Sequence, residues 1–383
     1  MKIVIAMDSF KGSMTSMESG LAAKEGILRV LPEAEVVVCP LADGGEGTME
    51  ALADGLGGEM RSVKVSDPLG RVILAQYSIV SEPKTGIKTA VIEMAQAAGL
   101  TLLSEKERNP YITTTYGVGE MIVDAIGRGC RNFILGIGGS ATNDGGMGML
   151  QALGYRFLDK DGRELTGGAE SLGKVYEISD KNRLQELSVC QFRIACDVEN
   201  PLCGPNGATY IYAPQKGLDA GDCAKVDAAM ASYADVAERF GKKACRNIPG
   251  AGAAGGMGFA CLNFLDGELV RGAELVMQVT RIEDDMEEAD IFITGEGRMD
   301  AQTAMGKAPM LAAQRAKQHG CRVYVFAGQM AHGAEQCLEN GVDEIYAITP
   351  EGMSMEIAMK KEIARKNMAE MVSRVFNVKG DMI

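Results

Sequence analysis

The sequence predicts an α/β protein in which a parallel-sheet domain, built from both ends of the chain, carries an inserted mixed-sheet domain. Apolar runs alternate with amphipathic helical segments at both ends, which is the βαβ pattern of a parallel sheet. Three strand-like runs follow one another in the middle, an order that a doubly wound fold does not have. A length of 383 residues is also sufficient for two domains.

The N-terminal segment is predicted to form a βαβ unit. Lys2–Ala6 is the first strand, because the apolar run reaches Asp8 too soon for a signal peptide. Thr15 and Glu18 have the spacing of a capping box and predict that a helix begins there. Glu35–Cys39 is the second strand, so the loops after both strands lie at the same edge of the sheet.

The middle of the chain begins with consecutive strands. They are Arg61–Ser66, Arg71–Val80 and Lys88–Glu93. Asp67-Pro68-Leu69-Gly70 predicts a tight hairpin turn between the first two. A helix near Thr115–Gly127 and a strand that ends before Gly136 complete this mixed-sheet pattern.

The alternation of strands and helices returns near the C-terminus. The predicted strands there are Asp290–Thr294, Arg322–Phe326 and Glu344–Ile348. Gly320 and Gly341 suit the ends of the helices that precede two of them. We therefore expect one α/β domain from residues 1–58 and 260–383, an inserted domain at 59–259, and an active site in the cleft between them.

Composition excludes several functions. The net charge of −13 and the absence of a Lys/Arg cluster argue against a nucleic-acid partner, and no apolar stretch approaches the length of a membrane-spanning helix. The ten cysteines form no Cys-x-x-Cys pair, which favours a cytoplasmic location. His319 and His332 are the only histidines, so a zinc site and histidine-based catalysis are disfavoured.

The segment Gly136–Gly146 follows a predicted buried strand, and its glycines leave backbone N–H groups open to a ligand. Such a loop can hold phosphate oxygens and Mg²⁺ together. The candidate phosphate contacts are Gly138, Gly139, Ser140 and Asn143, with Asp144 as the candidate metal ligand. The loop is close to a dinucleotide fingerprint, but its Asn-Asp-Gly-Gly tail does not fit a Rossmann helix.

A second glycine-rich segment, Gly250–Gly256, also matches the dinucleotide pattern but does not follow a clear strand. It is predicted to open a helix through Leu265 whose N-terminus faces an anion. Gly252 and Gly255 are its candidate phosphate contacts. Close helix packing is the alternative explanation for the glycines in both segments.

Loops after the first two strands carry polar side chains at one sheet edge. Asp8, Ser9 and Lys11 follow the first strand, and Asp43 begins the glycine-rich loop after the second. Parallel sheets bind ligands at this edge, so we expect these residues to bind substrate or metal. The alternative is a pair of turns that only cap the helices after them.

Carboxylates follow two later strands as well. Asp197 ends the apolar run Phe192–Ala195 and is either a general base or a turn cap before Pro201. Three further candidates follow the strand Asp290–Thr294. They are Glu296, Asp300 and Gln302. Gly306-Lys307 is not a Walker A loop, because Ala301 and Ala308 replace its required glycine and hydroxyl residue.

Together these motifs resemble those of the bacterial glycerate kinase family. They occur in the family's order: Asp8–Ser13, Ala42–Thr48, Gly136–Gly146, Cys196–Pro201 with Gly204, Gly250–Gly256, and Gly295–Thr303 with Gly306-Lys307. The chain departs from the family where Met7 replaces the usual proline and in Ala308–Ala312. These changes are apolar and flank the polar residues.

The resemblance implies ATP- and Mg²⁺-dependent phosphorylation of D-glycerate in glyoxylate, glucarate or galactarate breakdown. The implied product is 2-phosphoglycerate, with 3-phosphoglycerate as the alternative. It also implies a flavodoxin-like domain and an inserted domain with restriction-endonuclease-like topology. The sequence does not determine the oligomeric state, and a homodimer is compatible with it.

On this hypothesis each candidate residue has a role in phosphoryl transfer, which depends mainly on positioning and charge neutralisation. Asp197 accepts the proton of the glycerate hydroxyl, and Lys11 neutralises the carboxylate or the transferring phosphoryl group. Asp144 or a neighbouring carboxylate holds Mg²⁺, the glycines of both segments cradle the nucleotide, and the remaining carboxylates bind substrate hydroxyls or metal-bound water. A Mg²⁺-dependent hydrolase and a non-catalytic nucleotide sensor are the alternatives.

Overall fold

The computed structural model describes residues 1–45, 47–82, 85–304 and 306–379, without the side chains of Gln302 and Lys379. These residues form thirteen strands: β1 Lys2–Met7, β2 Glu35–Pro40, β3 Glu59–Ser66, β4 Val72–Ser81, β5 Lys88–Glu93, β6 Asn132–Gly136, β7 Arg156–Leu158, β8 Glu177–Ser179, β9 Gln191–Ala195, β10 Glu268–Val270, β11 Ile291–Met299, β12 Arg322–Met330 and β13 Glu344–Ala347.

The same described residues form fifteen α-helices: α1 Ser16–Leu28, α2 Thr48–Leu56, α3 Ala95–Ala98, α4 Tyr116–Gly127, α5 Met147–Ala152, α6 Ala169–Leu172, α7 Ala208–Tyr212, α8 Cys223–Gly241, α9 Ala253–Phe264, α10 Gly272–Thr280, α11 Ile282–Met286, α12 Ala301–Ala304, α13 Ala308–Gln318, α14 Met355–Ala358 and α15 Lys361–Lys379. Among these helices, none is long and apolar enough to cross a membrane.

The chain divides into two compact units. The first, here called the terminal unit, comprises Met1–Asp43, Glu50–Gly57 and the chain from Gly272 onward. The second, here called the inserted unit, comprises Gly58–Arg271 together with the short segment 44–49. The α/β class predicted from the sequence is confirmed, with a five-stranded parallel sheet in one unit and a six-stranded mixed sheet in the other.

The terminal unit is built on the parallel sheet, whose strand order is β13-β12-β11-β1-β2. Alternate residues of β1 enter two apolar cores on opposite faces: Ile3 and Ile5 join one, and Val4 and Ala6 join the other. Helices α1 and α15 cover the first face, and α10 and α13 cover the second. From β1 the chain first adds β2 on one side and later adds β11, β12 and β13 on the other side, so the strand order reverses between β1 and β11. In open parallel sheets, ligands bind at the carboxyl ends of the strands at such a reversal point.

Strand β11 is longer than the sequence predicts. The segment from Gly295 to Met299 was expected as a loop, but it continues the parallel ladder with β12. Two glycines explain this extension: a Cβ at Gly295 would lie 1.9 Å from the carbonyl oxygen of Phe326, and one at Gly328 would lie 2.4 Å from that of Gly297. Because both positions lack a side chain, the two backbones approach closely enough to stay paired.

The inserted unit contains the mixed sheet in the order β10-β9-β6-β5-β4-β3. Strands β3, β4 and β5 are antiparallel neighbours, whereas β5, β6, β9 and β10 run parallel. The predicted turn after β3 is confirmed, since the Gly70 N–H donates to the Asp67 carbonyl oxygen at 3.0 Å. A separate hairpin pairs β7 with β8.

Two helix starts were predicted from local signals, and one of them is confirmed. Thr15 and Glu18 form the predicted capping box at α1. The predicted helix from Gly250, in contrast, is wrong at its start. Ala254, Gly255 and Gly256 have positive φ angles of 53°, 69° and 95°, so the regular part of α9 begins only after them.

Candidate active site

The terminal unit has a cavity of about 410 Å³ at the carboxyl ends of its parallel strands. Its polar lining comes from the loops and strand ends that the sequence singled out. These residues are Asp8, Ser9, Lys11, Asp43, Glu296 and Asp300, joined by Arg298 and Lys307. Four carboxylates and three cations therefore surround one space, which suits a small ligand with both hydroxyl and anionic groups.

Asp8 lies where β1 ends, beside its neighbour strand β11. Its backbone N–H donates to the Gly295 carbonyl oxygen at 2.9 Å, and its Oδ1 accepts the Ser9 N–H at 2.7 Å. Burial is the largest effect that raises the pKa of Asp8 to about 6; the charges of Asp43 and Glu296 act in the same direction, and the Ser9 hydrogen bond opposes them. This carboxyl group therefore changes charge close to neutral pH.

Glu296 enters the cavity from the extended part of β11. Its Oε1 accepts a hydrogen bond from the Thr303 hydroxyl at 2.6 Å, and its Oε2 lies 3.9 Å from Lys307 Nζ. Burial raises the pKa of Glu296 despite these partners. Lys307 Nζ also lies 4.0 Å from Asp300 Oδ1, so one ammonium group forms ion pairs with two carboxylates. The side chain of Gln302 lies outside the described part of the chain, as does the whole of Glu46.

Part of the cavity lining is apolar. It consists of Phe10, Ile348, Met355, Ala358, Met359 and Ala364. The sequence analysis did not identify Met355, Ala358 and Ala364 as lining residues, because the helices that carry them, α14 and α15, contain no recognisable motif. The cavity thus combines charged and apolar lining residues, and the charged groups can orient a polar ligand.

The glycine loop Gly136–Gly146 belongs to the inserted unit and follows β6. Gly138 and Gly139 are exposed, and Gly139 has a φ of +71°. A Cβ at Gly138 would meet nothing closer than 4.0 Å, so its backbone is open to an incoming ligand. Ser140 and Asn143, in contrast, are buried beneath the loop.

Asp144 is fully buried and already holds four donors. Its oxygens accept from the Thr115 N–H and hydroxyl at 2.8 and 2.9 Å, and from the Gly146 and Gly148 N–H groups at 3.0 and 3.1 Å. Burial raises the pKa of Asp144 although these bonds favour its charged form. A carboxylate so engaged fixes α4 to the start of α5, and it does not fit a direct role as a Mg²⁺ ligand.

A metal ion bound by the protein alone requires several donor side chains around one point. Within residues 1–45, 47–82, 85–304 and 306–379, no group of three or more His, Cys, Asp or Glu side chains is arranged to hold a metal ion. A nucleotide-bound Mg²⁺ needs only one or two protein carboxylates, because phosphates and water supply the other ligands. Asp43, half-buried in the cavity lining, fits that smaller requirement.

Lys216 is a buried side chain that sequence reasoning missed. It is only 1% exposed, and its Nζ donates to Ser140 Oγ and to the Thr142 carbonyl oxygen, both at 2.7 Å. Burial lowers the pKa of Lys216 to about 7, while the nearby charge of Asp144 raises it. The lysine lies in the turn Pro214–Lys216, and nothing in that sequence distinguishes it from a solvated lysine.

Asp197 lies in the inserted unit, exposed in the loop after β9. Strands β6 and β9 are parallel and pair Gly136 with Ala195. Asp197 and Gly138 each follow two residues after that pair, so both lie at the carboxyl edge of the mixed sheet. The other candidates for acid–base chemistry line the cavity of the terminal unit and belong to a different sheet.

Gly252 and Gly255 occupy tightly packed positions in the inserted unit. A Cβ at either would lie 2.1 Å from a backbone oxygen, that of Pro201 for Gly252 and that of Thr142 for Gly255. The Gly255 carbonyl oxygen also accepts the Gly145 N–H at 2.9 Å. Close packing therefore accounts for both glycines, and their contact with a nucleotide stays a prediction.

The exposed glycine provides a test of the loop. We expect Gly138→Ala to leave the melting temperature nearly unchanged, because the new methyl group meets open space and no positive φ is involved. If the loop binds phosphate oxygens through its backbone, the same methyl group obstructs their approach and raises KM for ATP several-fold. Steady-state kinetics with ATP and the second substrate varied separately measure this, and a proportional rise in both KM values would contradict it.

An open parallel sheet with a charged pocket at its carboxyl edge, combined with a domain whose glycine loop exposes its backbone, defines an enzyme acting on small phosphorylated or hydroxylated anions. The chain belongs to the glycerate kinase family, whose model matches residues 3–379. The prediction made from the motifs is thereby confirmed.

Similar proteins support the same assignment. A glycerate kinase from Halalkalibacterium halodurans is 43% identical over 96% of this chain and 97% of its own length. A glycerate 2-kinase from Escherichia coli K12 is 41% identical over 91% of this chain and 90% of its own. The crystal structure of a candidate glycerate kinase 2 from Salmonella typhimurium LT2 superposes with a TM-score of 0.90 at 37% identity and covers both chains completely.

Proposed function

We propose that this protein transfers the γ-phosphoryl group of ATP to D-glycerate. The observation that carries the proposal is the cavity of the terminal unit, which combines carboxylates for hydroxyl groups with cations for a carboxylate. Membership in the glycerate kinase family supports the reaction. Because a relative 41% identical to this chain is named glycerate 2-kinase, we propose 2-phosphoglycerate as the product.

In this proposal glycerate binds within the cavity. Lys11 and Arg298 are exposed cations of its lining and attract the carboxylate of the substrate. Glu296 and Asp300 accept hydrogen bonds from its hydroxyl groups, and the Lys307 ammonium group lies 3.9 and 4.0 Å from these two carboxylates. Each carbon of glycerate carries oxygen, so a charged wall orients the molecule along its whole length.

Asp8 is the carboxylate best suited to accept the proton of the attacked hydroxyl. Its pKa, raised by burial to about 6, gives it more basicity than an ordinary aspartate while it stays largely ionised at neutral pH. Asp197, proposed from the sequence as the base, stays a prediction. Its exposed position in the inserted unit suits a group that contacts the nucleotide instead.

The nucleotide phosphates are proposed to bind the open backbone of Gly138 and Gly139, with Ser140 beneath them. Mg²⁺ would be held by Asp43 and would neutralise charge on the phosphates when bound. The protein's own contribution is to place the acceptor hydroxyl and to supply cations along the path of transfer. Exclusion of water from the reacting groups would then limit ATP hydrolysis.

The finer features of the fold are proposals as well. The parallel strand order, read from the edge strand β2, follows the 2-1-3-4-5 pattern and supports a flavodoxin-like terminal domain. Restriction-endonuclease-like topology for the inserted domain, the boundaries at residues 58 and 260, and an active site between the domains stay predictions. The ten unpaired cysteines support a reducing, cytoplasmic location.

The proposal is tested by ³¹P NMR of the protein with MgATP, in the presence and absence of D-glycerate. We expect a phosphomonoester resonance that matches 2-phosphoglycerate and forms only with the acceptor. A resonance of 3-phosphoglycerate would correct the product and leave the reaction intact. Release of inorganic phosphate at the same rate with and without glycerate would instead identify a hydrolase.

A further inference from the structure

The polar groups beneath the glycine loop form a connected set, in which Lys216 has no role in the proposed reaction. Lys216 Nζ bridges the Ser140 hydroxyl oxygen and the Thr142 carbonyl oxygen, at 2.7 Å to each. Asn143 donates from Nδ2 to the Thr209 hydroxyl at 3.1 Å. Three loop residues, Ser140, Thr142 and Asn143, are therefore tied to the interior of the inserted unit.

A buried ammonium group at this position is costly, because burial strongly disfavours a charge without a carboxylate in direct contact. Asp144 is nearby, but its oxygens are taken by Thr115, Gly146 and Gly148. Among the described residues, Lys216 makes no ion pair. A lysine held only by neutral oxygens contributes little stability, and an anion that binds above the loop would favour its charged form.

Two further polar atoms of this loop are unsatisfied within the part of the chain that the structure describes. Thr142 Oγ1 and Asn143 Oδ1 are buried and lack a hydrogen-bond partner among the described residues. Both residues are fully buried, and buried polar atoms are normally satisfied. Together with the lysine, these atoms leave the underside of the loop incompletely satisfied.

The direction of the bond between Lys216 and Ser140 has a chemical consequence. An ammonium group has only donors, so Ser140 Oγ must accept from it. The single hydroxyl proton of Ser140 is then available to donate elsewhere, and no acceptor for it exists among the described residues. A hydroxyl that accepts from a cation is also a stronger donor, because hydrogen bonds in a chain polarise one another.

We propose that Lys216 is a positioning residue for the polyphosphate of ATP, acting through Ser140. Its ammonium group orients the serine hydroxyl toward the ligand and holds the Ser140–Thr142 backbone in place. The ligand class is a polyphosphate anion, and the exposed N–H groups of Gly138 and Gly139 bind it from the loop above. The inference rests on the proposed function, since it assigns this loop to the phosphates of the phosphoryl donor.

The binding of inorganic tripolyphosphate, followed by calorimetry on the full chain, tests the inference without turnover. We expect Ser140→Ala and Lys216→Met each to weaken binding by roughly 10- to 100-fold, as for loss of a hydrogen bond to a charged group. The double variant should be no weaker than either single variant, because the two residues act as one unit. Lys174→Met, at an exposed lysine of the same unit, should bind like the wild type.

Kinetics separate positioning from a purely structural role. The Ser140→Ala variant should raise KM for ATP by a similar factor while KM for D-glycerate stays within about twofold of the wild type. If Lys216→Met does not fold, Ser140→Ala decides alone, since it leaves the lysine and its bond to Thr142 in place. Wild-type affinity of Ser140→Ala for tripolyphosphate would overturn the proposal. A wild-type protein that binds tripolyphosphate but does not phosphorylate glycerate would refute only the proposed function.

Discussion

Replacing Asp8 with asparagine is expected to lower kcat by roughly 10²- to 10⁴-fold, the usual contribution of a positioned general base. The same variant should be more stable than the wild type at pH 7.5. Burial raises the pKa of Asp8 to about 6 from the ordinary 3.8, which is about two units. This shift corresponds to at most about 3 kcal/mol of unfolding free energy.

The sign of this stability effect follows from proton linkage. The folded-state pKa of Asp8 lies above the unfolded value, so between pH 4 and pH 6 the folded protein binds the proton more tightly. The favourable contribution of the protonated Asp8 to the unfolding free energy is fully present below pH 4 and is lost as the pH rises through 6. Asparagine keeps the acceptor for the Ser9 N–H but carries no charge. The gain in stability of Asp8→Asn over the wild type should therefore be absent at pH 4 and complete above pH 6. Urea unfolding at pH 4 and pH 7.5 measures the difference.

Two aspartates serve as comparisons for Asp8. Asp54 is exposed on α2, and Asp54→Asn should leave kcat unchanged. Asp197→Asn distinguishes the two candidate bases: a loss of kcat there, with Asp8→Asn active to within threefold, would return the role of base to Asp197. An Asp8→Asn protein that is less stable at pH 7.5 would show that the carboxylate stabilises the fold.

The position of this pocket was predictable from the sequence because it depends on local patterns. Apolar runs place β1 and β2 in one parallel sheet, and the polarity of such a sheet brings Asp8 and Asp43 to the same edge. The capping box at Thr15 likewise involves groups only three residues apart. Where neighbouring residues determine the structure, the sequence indicates it directly.

Other features depend on partners that are distant in the chain. Strand β11 continues past Gly295 because β12 comes close to it, and the motif itself reads as a loop. Lys216 contacts Ser140 across 76 positions of sequence. Asp144 looked like a metal ligand because carboxylates bind Mg²⁺, but its burial and its hydrogen bonds to Thr115 emerge only from the fold. Burial and long-range pairing cannot be read from spacing alone.

The packing of Gly255 leads to a further large expected effect. We expect Gly255→Ala to lower the unfolding free energy by about 2–5 kcal/mol, the sum of a strained left-handed backbone and an overpacked contact. Gly255 has a φ of +69°, and the new methyl carbon would lie 2.1 Å from the Thr142 carbonyl oxygen. Since that oxygen is backbone, the loop that contains it must move. Chemical denaturation at pH 7.5 measures the loss.

Gly129→Ala is the matched control, because it isolates strain from contact. Gly129 has a φ of +87°, yet a Cβ there would meet nothing within 4 Å. The unfolding free energy of Gly129→Ala should therefore fall only by the cost of the strained backbone, about 1–2 kcal/mol. The excess loss in Gly255→Ala measures the contact with Thr142, and displacement of that residue should also raise KM for ATP through its neighbour Ser140. Equal losses in the two variants, with a raised KM for ATP only in Gly255→Ala, would contradict the packing explanation and favour direct contact of Gly255 with the nucleotide.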